Sequence, residues 1–143
     1  MLRLRPDCLN TLGRYAEGAE TLDLALRQHY ADGGLRLTGF ELLLGRGEPE
    51  LAKATLAELL RMAAGSPWRY HAAEDRVYLG RAATIMGADA RQVLEGFYDQ
   101  AQKQDADLRE AFVAIGELAL LKHDHTVAAE TFRGGLERHQ DDA

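Results

Sequence analysis

The sequence predicts an all-α chain, a right-handed array of antiparallel helix hairpins with about seven helices in three to four repeats. Three observations carry this. The chain matches itself at a step of 34 residues: Tyr98 falls on Phe132, Ala101 on Gly135 and Asp107 on Asp141. Nearer the N-terminus Gly13 falls on Gly47, Gly18 on Ala52, Leu22 on Leu56, Ala25 on Leu59 and Leu26 on Leu60. Apolar residues recur at helical spacing, as in Leu51, Ala52, Leu56, Leu59 and Leu60. Finally, 46% of the 143 residues are hydrophobic and only three are proline, a composition that suits stacked helices.

The stretch 109–142 carries the clearest pattern. Phe112, Ile115, Gly116 and Ala119 are followed by Ala128, Phe132 and Gln140. They stand at the places of W-x2-L-G-x2-Y, A-x3-F and P, with glutamine replacing the proline. In these residues the chain resembles the tetratricopeptide repeat (TPR) family, and through the self-match the resemblance extends over nearly its whole length. It implies a TPR-like α-α superhelix. The spacing has a physical reason: a repeat is two helices that cannot bury their apolar faces alone. Gly116 lets the second helix lie close, Ala128 faces it, and Phe132 fills the space toward the neighbouring repeat. One step back, Tyr78 stands under Phe112, Ala82 under Gly116, Ile85 under Ala119 and Leu94 under Ala128. The two self-matching pairs do not share a register, because Leu56 and Tyr98 are 42 residues apart. The extra eight residues are expected around Gly65-Ser66-Pro67-Trp68. The expected organisation is one domain, 1–143, with repeats 1–32 (partial), 33–66, 67–108 (with the insertion) and 109–142.

In order along the chain, Met1–Leu12 is too short for a full first helix, and Gly13–Tyr30 puts Tyr15, Ala19, Leu22, Ala25 and Leu26 on one face. Asp32-Gly33-Gly34 is a turn. Leu35–Leu44 is a first helix, broken by Gly45-Arg46-Gly47, and Pro49 suits the first turn of the next. Trp68–Met86 starts with the insertion, where Trp68 and Tyr70 are expected to cover the elbow rather than anchor a partner. Asp89 is the expected N-cap of a helix over 90–104. His123-Asp124-His125 reads as the polar tip of the last hairpin. Two histidines at i, i+2 do not share a helical face, so no metal is expected there.

The charge of −6 argues against a nucleic-acid partner, which needs a basic face. The early arginines Arg3, Arg5 and Arg14 read as a solvated end. No apolar run reaches the length of a membrane span, and no signal peptide core is present, so a cytoplasmic location is expected. Cys8 stands alone and implies no disulfide. With no nucleophile, phosphate-binding or redox motif, the expectation is a non-catalytic scaffold without cofactor, binding a protein or peptide. The resemblance implies a concave face lined by first helices: Leu37, Glu41 and Leu44, then Arg76, Leu79, Ala83 and Met86, then Glu110, Val113, Glu117 and Leu120. It lacks the Lys/Asn set with which chaperone-binding members hold a peptide carboxylate. The alternative is an array segment of a larger, multidomain protein, since 78–137 looks like the arrays of long bacterial repeat proteins. Val127, Phe132 and Leu136 leave the last helix with an uncapped apolar flank, so self-association through that helix is a further expectation.

Overall fold

The computed structural model describes residues 15–139. Met1–Leu12, with Cys8, lies outside them, as do Gly13, Arg14, Gln140 and the side chains of Tyr15 and Ala19. Among the described residues there are seven α-helices and no strand. They are α1 Tyr15–Gln28, α2 Gly33–Gly45, α3 Pro49–Gly65, α4 Ala73–Ile85, α5 (90–104), α6 Arg109–Leu121 and α7 His125–Arg138. A short 3-10 helix, Pro67–Tyr70, stands between α3 and α4. The described chain falls into two compact units that part between Arg69 and Tyr70.

In the first unit α2 packs on α1 and α3. Leu22, Ala25, Leu35 and Leu42 form a core with Leu26 against it, and Ala52, Leu56 and Leu59 are the buried stripe of α3. Asp32 caps α2, its carboxylate accepting from Leu35 N at 3.0 Å. The α1–α2 turn is clamped by Arg36, a buried arginine. Its Nε and Nη2 donate to Tyr30 O at 3.2 and 3.1 Å, and its guanidinium stacks 4.3 Å from the Tyr30 ring.

In the second unit α4 pairs with α5 and α6 with α7, and α6 lies against both α4 and the middle of α5. In each hairpin a glycine meets a ring. A Cβ on Gly80 would run into Tyr98, and one on Gly116 into Phe132. The missing side chain is what lets each pair of helices approach.

The hairpin turns are built alike. Gly47, Gly87 and His123 all have positive φ, at 77°, 90° and 60°. The next residue closes the helix end, with Glu48 N, Ala88 N and Asp124 N donating to Leu43 O, Ala83 O and Ala119 O at 2.9 Å each. Pro49 follows in the first turn of α3, as expected. Asp124 then caps α7 directly through Val127 N at 3.1 Å. In the α4–α5 hairpin one more residue intervenes before the cap, Asp89, which accepts from Arg91 N and Gln92 N at 3.0 and 3.2 Å.

A second extra residue sits inside α5. Leu94–Tyr98 is a single π-helical turn, closed by Asp99 N on Leu94 O. On α7 the buried Ala128 and the half-buried Phe132 are four apart; on α5 the buried Val93 and Tyr98 are five apart. The π turn absorbs the added residue and returns Tyr98 to the buried side. The register expected from the sequence is corrected accordingly: Val93, not Leu94, stands for Ala128. On the first helices, Gly80, Arg76 and Ala83 stand for Gly116, Phe112 and Ala119, rather than Ala82, Tyr78 and Ile85. Nor do all eight extra residues lie around 65–68. Leu56 to Gly80 is 24 residues where Tyr98 to Gly116 is 18, so six lie before α4 and two within the next hairpin. Trp68 and Tyr70 also part company: Tyr70 is buried, but Trp68 is 68% exposed and does not cover the elbow.

Two predictions follow from this packing. Gly116→Ala should destabilise by about 1–3 kcal/mol through overpacking against Phe132. Gly134→Ala, whose new methyl would meet Phe112 Cε1 at an ordinary 4.0 Å, should instead stabilise by about 0.5–1 kcal/mol. Urea denaturation of both variants reads the opposite signs.

The second prediction concerns alkaline pH. Burial pushes the Tyr98 hydroxyl above its ordinary range, partly offset by its bond with Thr84 and the charge of Arg81. The unfolded chain therefore loses this proton first as pH rises past about 10, so the stability contributed by neutral Tyr98 is present below that and falls above it. Stability curves between pH 8 and 11 should fall less steeply for Tyr98→Phe than for the native chain.

Candidate functional site

The last hairpin presents an apolar groove. Both helices build it. Alanines, which stiffen a helix, and Gly116 let α6 and α7 close together, and Phe112 and Phe132 then fill the seam from opposite helices. Gly135 gives Phe112 its place, since a Cβ there would stand 3.0 Å from the Phe112 Cβ. The groove has a volume of about 280 Å³, with Val113 and Leu136 as walls and Arg109 and His139 at its polar ends. Leu136 is 70% exposed. Arg138 braces one side, its Nη1 donating to Ala106 O at 3.0 Å and to Asp107 Oδ1 at 3.1 Å while its guanidinium stands 5.6 Å from the Phe112 ring. The His139 ring meets Phe112 edge-on at 6.3 Å.

The same face of the preceding hairpin is covered. Val77, Tyr98 and Ala101 stand where Val113, Phe132 and Gly135 stand in the last hairpin, and all three are buried, Tyr98 at 2% exposure. The helix lying there is α6, which brings Ala111, Ala114 and Leu118 as its buried contact side. An ion pair between Arg81 Nη2 and Glu117 Oε2 at 3.3 Å fixes the edge of that contact. Phe132 was expected to be buried between two repeats. It packs on Gly116 as expected but is only half-buried, because its other side opens into the groove.

The expected partner-facing residues divide. On α2, Leu37 is half-buried while Glu41 and Leu44 are exposed. On α4, Arg76 is half-buried and donates Nε to Gln104 Oε1 at 3.2 Å, and Met86 is exposed at the helix end. Leu79 and Ala83 are buried and belong to the core, because α4 is covered on more than the side that meets α5. On α6, Glu110, Glu117 and Leu120 are exposed and Val113 half-buried, so this run does form an accessible strip, and Val113 joins it to the groove. The sequence singled out Phe132 and Leu136 as an open flank but missed Phe112, Arg109 and Arg81. The match of Arg81 to Glu117 follows from the helix bounds, since α4 and α6 are both 13 residues long and start 36 residues apart, not 34. His123 and His125 sit at the hairpin tip with ring centroids 6.4 Å apart. Among the described residues no cluster of three or more His, Cys, Asp or Glu is placed to hold a metal.

These features define a helical-repeat protein of stacked antiparallel hairpins. Among solved structures, the chain is similar to MamA, residues 41 to the end, from Desulfovibrio magneticus RS-1. The TM-score is 0.53 over 98% of this chain and 75% of that one, at 21% sequence identity. That likeness supports a TPR-like helical-repeat fold. No family model matches the chain, and no curated protein matches it in sequence. No described helix is long and apolar enough to cross a membrane.

The difference between the two rings yields a prediction. Tyr98→Ala, at a covered site, should cost about 3–5 kcal/mol, and Phe132→Ala measurably less, because part of that ring already faces solvent. Leu136→Ala should change stability by less than about 0.5 kcal/mol. Thermal and urea unfolding of the three variants should rank them in that order.

Proposed function

We propose that the chain is a non-catalytic protein-interaction scaffold, whose partner protein or peptide lies along the exposed strip of α6 and enters the groove of the last hairpin. The observation that supports it most is the open, apolar groove floored by Phe112 and Phe132, whose counterpart one hairpin earlier is filled by a helix. An apolar patch framed by charged groups is the usual form of a protein-binding surface. The exposed Glu110, Glu117 and Leu120 and the half-buried Val113 extend it with alternating acid and apolar contacts. The fold likeness agrees with this assignment and leaves the partner to the groove's own chemistry.

The test is photo-crosslinking in cells that make the full chain. A photoreactive amino acid at position 136 should form a discrete protein adduct, and the same group at Glu95, exposed on α5, should not. No adduct from position 136, or the same adducts from both positions, sinks the proposal.

A further inference from the structure

Resting on that assignment, we infer what the groove takes: an amphipathic α-helix with alanine-sized residues on its contact side and a lysine or arginine at the position that meets Glu117. The warrant is the chain's own precedent. The equivalent face of the α4–α5 hairpin is occupied by α6, so the shape of the occupant is already displayed. Ala111 and Ala114, both buried, let α6 approach closely, and Leu118 fills the far end. The last hairpin repeats the receiving surface: Val113 for Val77, Gly116 for Gly80, Phe132 for Tyr98 and Gly135 for Ala101.

One position is reversed in charge. Where α4 offers Arg81 to the incoming helix, α6 offers Glu117 at the same place, 36 residues on. The incoming α6 answers Arg81 with that same Glu117 at 3.3 Å. A helix arriving on the last hairpin with an acid there would meet like charge, and one with a base there would remake the ion pair with its polarity inverted. Glu110, two turns earlier on the exposed side of α6, adds to the negative edge, and the chain as a whole carries −6. Charge at the rim of an interface selects partners and speeds encounter more than it adds affinity. The groove thus supplies the binding through its apolar floor, and Glu117 supplies the choice.

The probe is a synthetic peptide of residues 105–123, held helical by a staple joining positions 112 and 116, which in the folded chain face α7 rather than α4. Two versions are titrated into the full-length chain at low salt, one with the native acid and one with Glu117→Arg. Both are then titrated into the chain carrying Glu117→Arg, whose lost surface ion pair leaves the fold intact. Fluorescence anisotropy should show the opposite-charge combinations binding about tenfold more tightly than the like-charge ones, a difference that shrinks in high salt. Leu136→Glu in the chain should abolish binding of both. Saturable binding without the reversal of preference overturns the charge assignment, and no binding of either peptide overturns the helix. A chain that sediments as a dimer split by Leu136→Glu assigns the groove to a second copy and also overturns it. Because the crosslinking test at position 136 makes no use of these peptides, the scaffold and its helical ligand stand or fall separately.

Discussion

The contact on which the second unit depends is that of a ring against a glycine backbone. Tyr98 on Gly80 and Phe132 on Gly116 are the same contact, made twice. A residue with a side chain at either glycine would run into the ring and hold the two helices of that hairpin apart. Once the helices are that near, the ring cannot be covered by its own hairpin on every side, for it projects out of the seam. The third helix of the unit, α6, does this for Tyr98. Every other feature of the α4–α5–α6 stack follows: the alanines on the covering side of α6, the buried Val77, the ion pair at its edge. In the last hairpin the same geometry leaves Phe132 half open.

Much of this was legible in the sequence. The cap Asp89, Pro49 in a first turn, the hairpin tip at His123-Asp124-His125 and the equivalence of Tyr98 with Phe132 are local or strongly periodic signals, and each is present in the structure. What escaped were places where the chain changes length without changing packing. A fixed step aligns residues by number, but the structure aligns them by which side of a helix they occupy. One residue in the turn and one in the π turn shift the register between Gly80 and Tyr98, and a fixed step of 34 therefore put Ala82, Tyr78 and Leu94 in places held by Gly80, Arg76 and Val93. The π turn has no composition of its own to betray it. Its cause is the need to bring both Val93 and Tyr98 to the buried side although they are five residues apart.

The site was legible only in part, for a related reason. A face drawn from one helix at i, i+3, i+7 assumes that the helix touches its neighbours on the opposite side alone. On α6 this holds well enough, and Glu110, Glu117 and Leu120 remain accessible. On α4 it fails, because small residues flank the helix on more than one side and Leu79 and Ala83 are drawn into the core. Trp68 shows the converse: an aromatic beside a buried tyrosine was expected to share its burial, but of the two only Tyr70, at the end of the 3-10 turn Pro67–Tyr70, is buried.

The charge reversal at Arg81 and Glu117 bears on why a stack of near-identical surfaces does not simply repeat. An exposed pair of this kind contributes little to stability, about 0–1 kcal/mol, so retaining an arginine on α4 gains the fold almost nothing. The same pair weighs more as a choice between partners, because juxtaposed like charges count against the wrong one. The contact side of α6 is already buried against its own α4 and α5, so another copy could offer that helix to the groove only by exchanging it between chains, the route of domain swapping. Glutamate in place of arginine removes the match. On the assignment proposed above, the groove keeps the apolar floor that any small-faced helix fits, and its edge disfavours the chain's own version of that helix. Its hydrophobicity can then serve a partner of opposite charge without committing the chain to copies of itself.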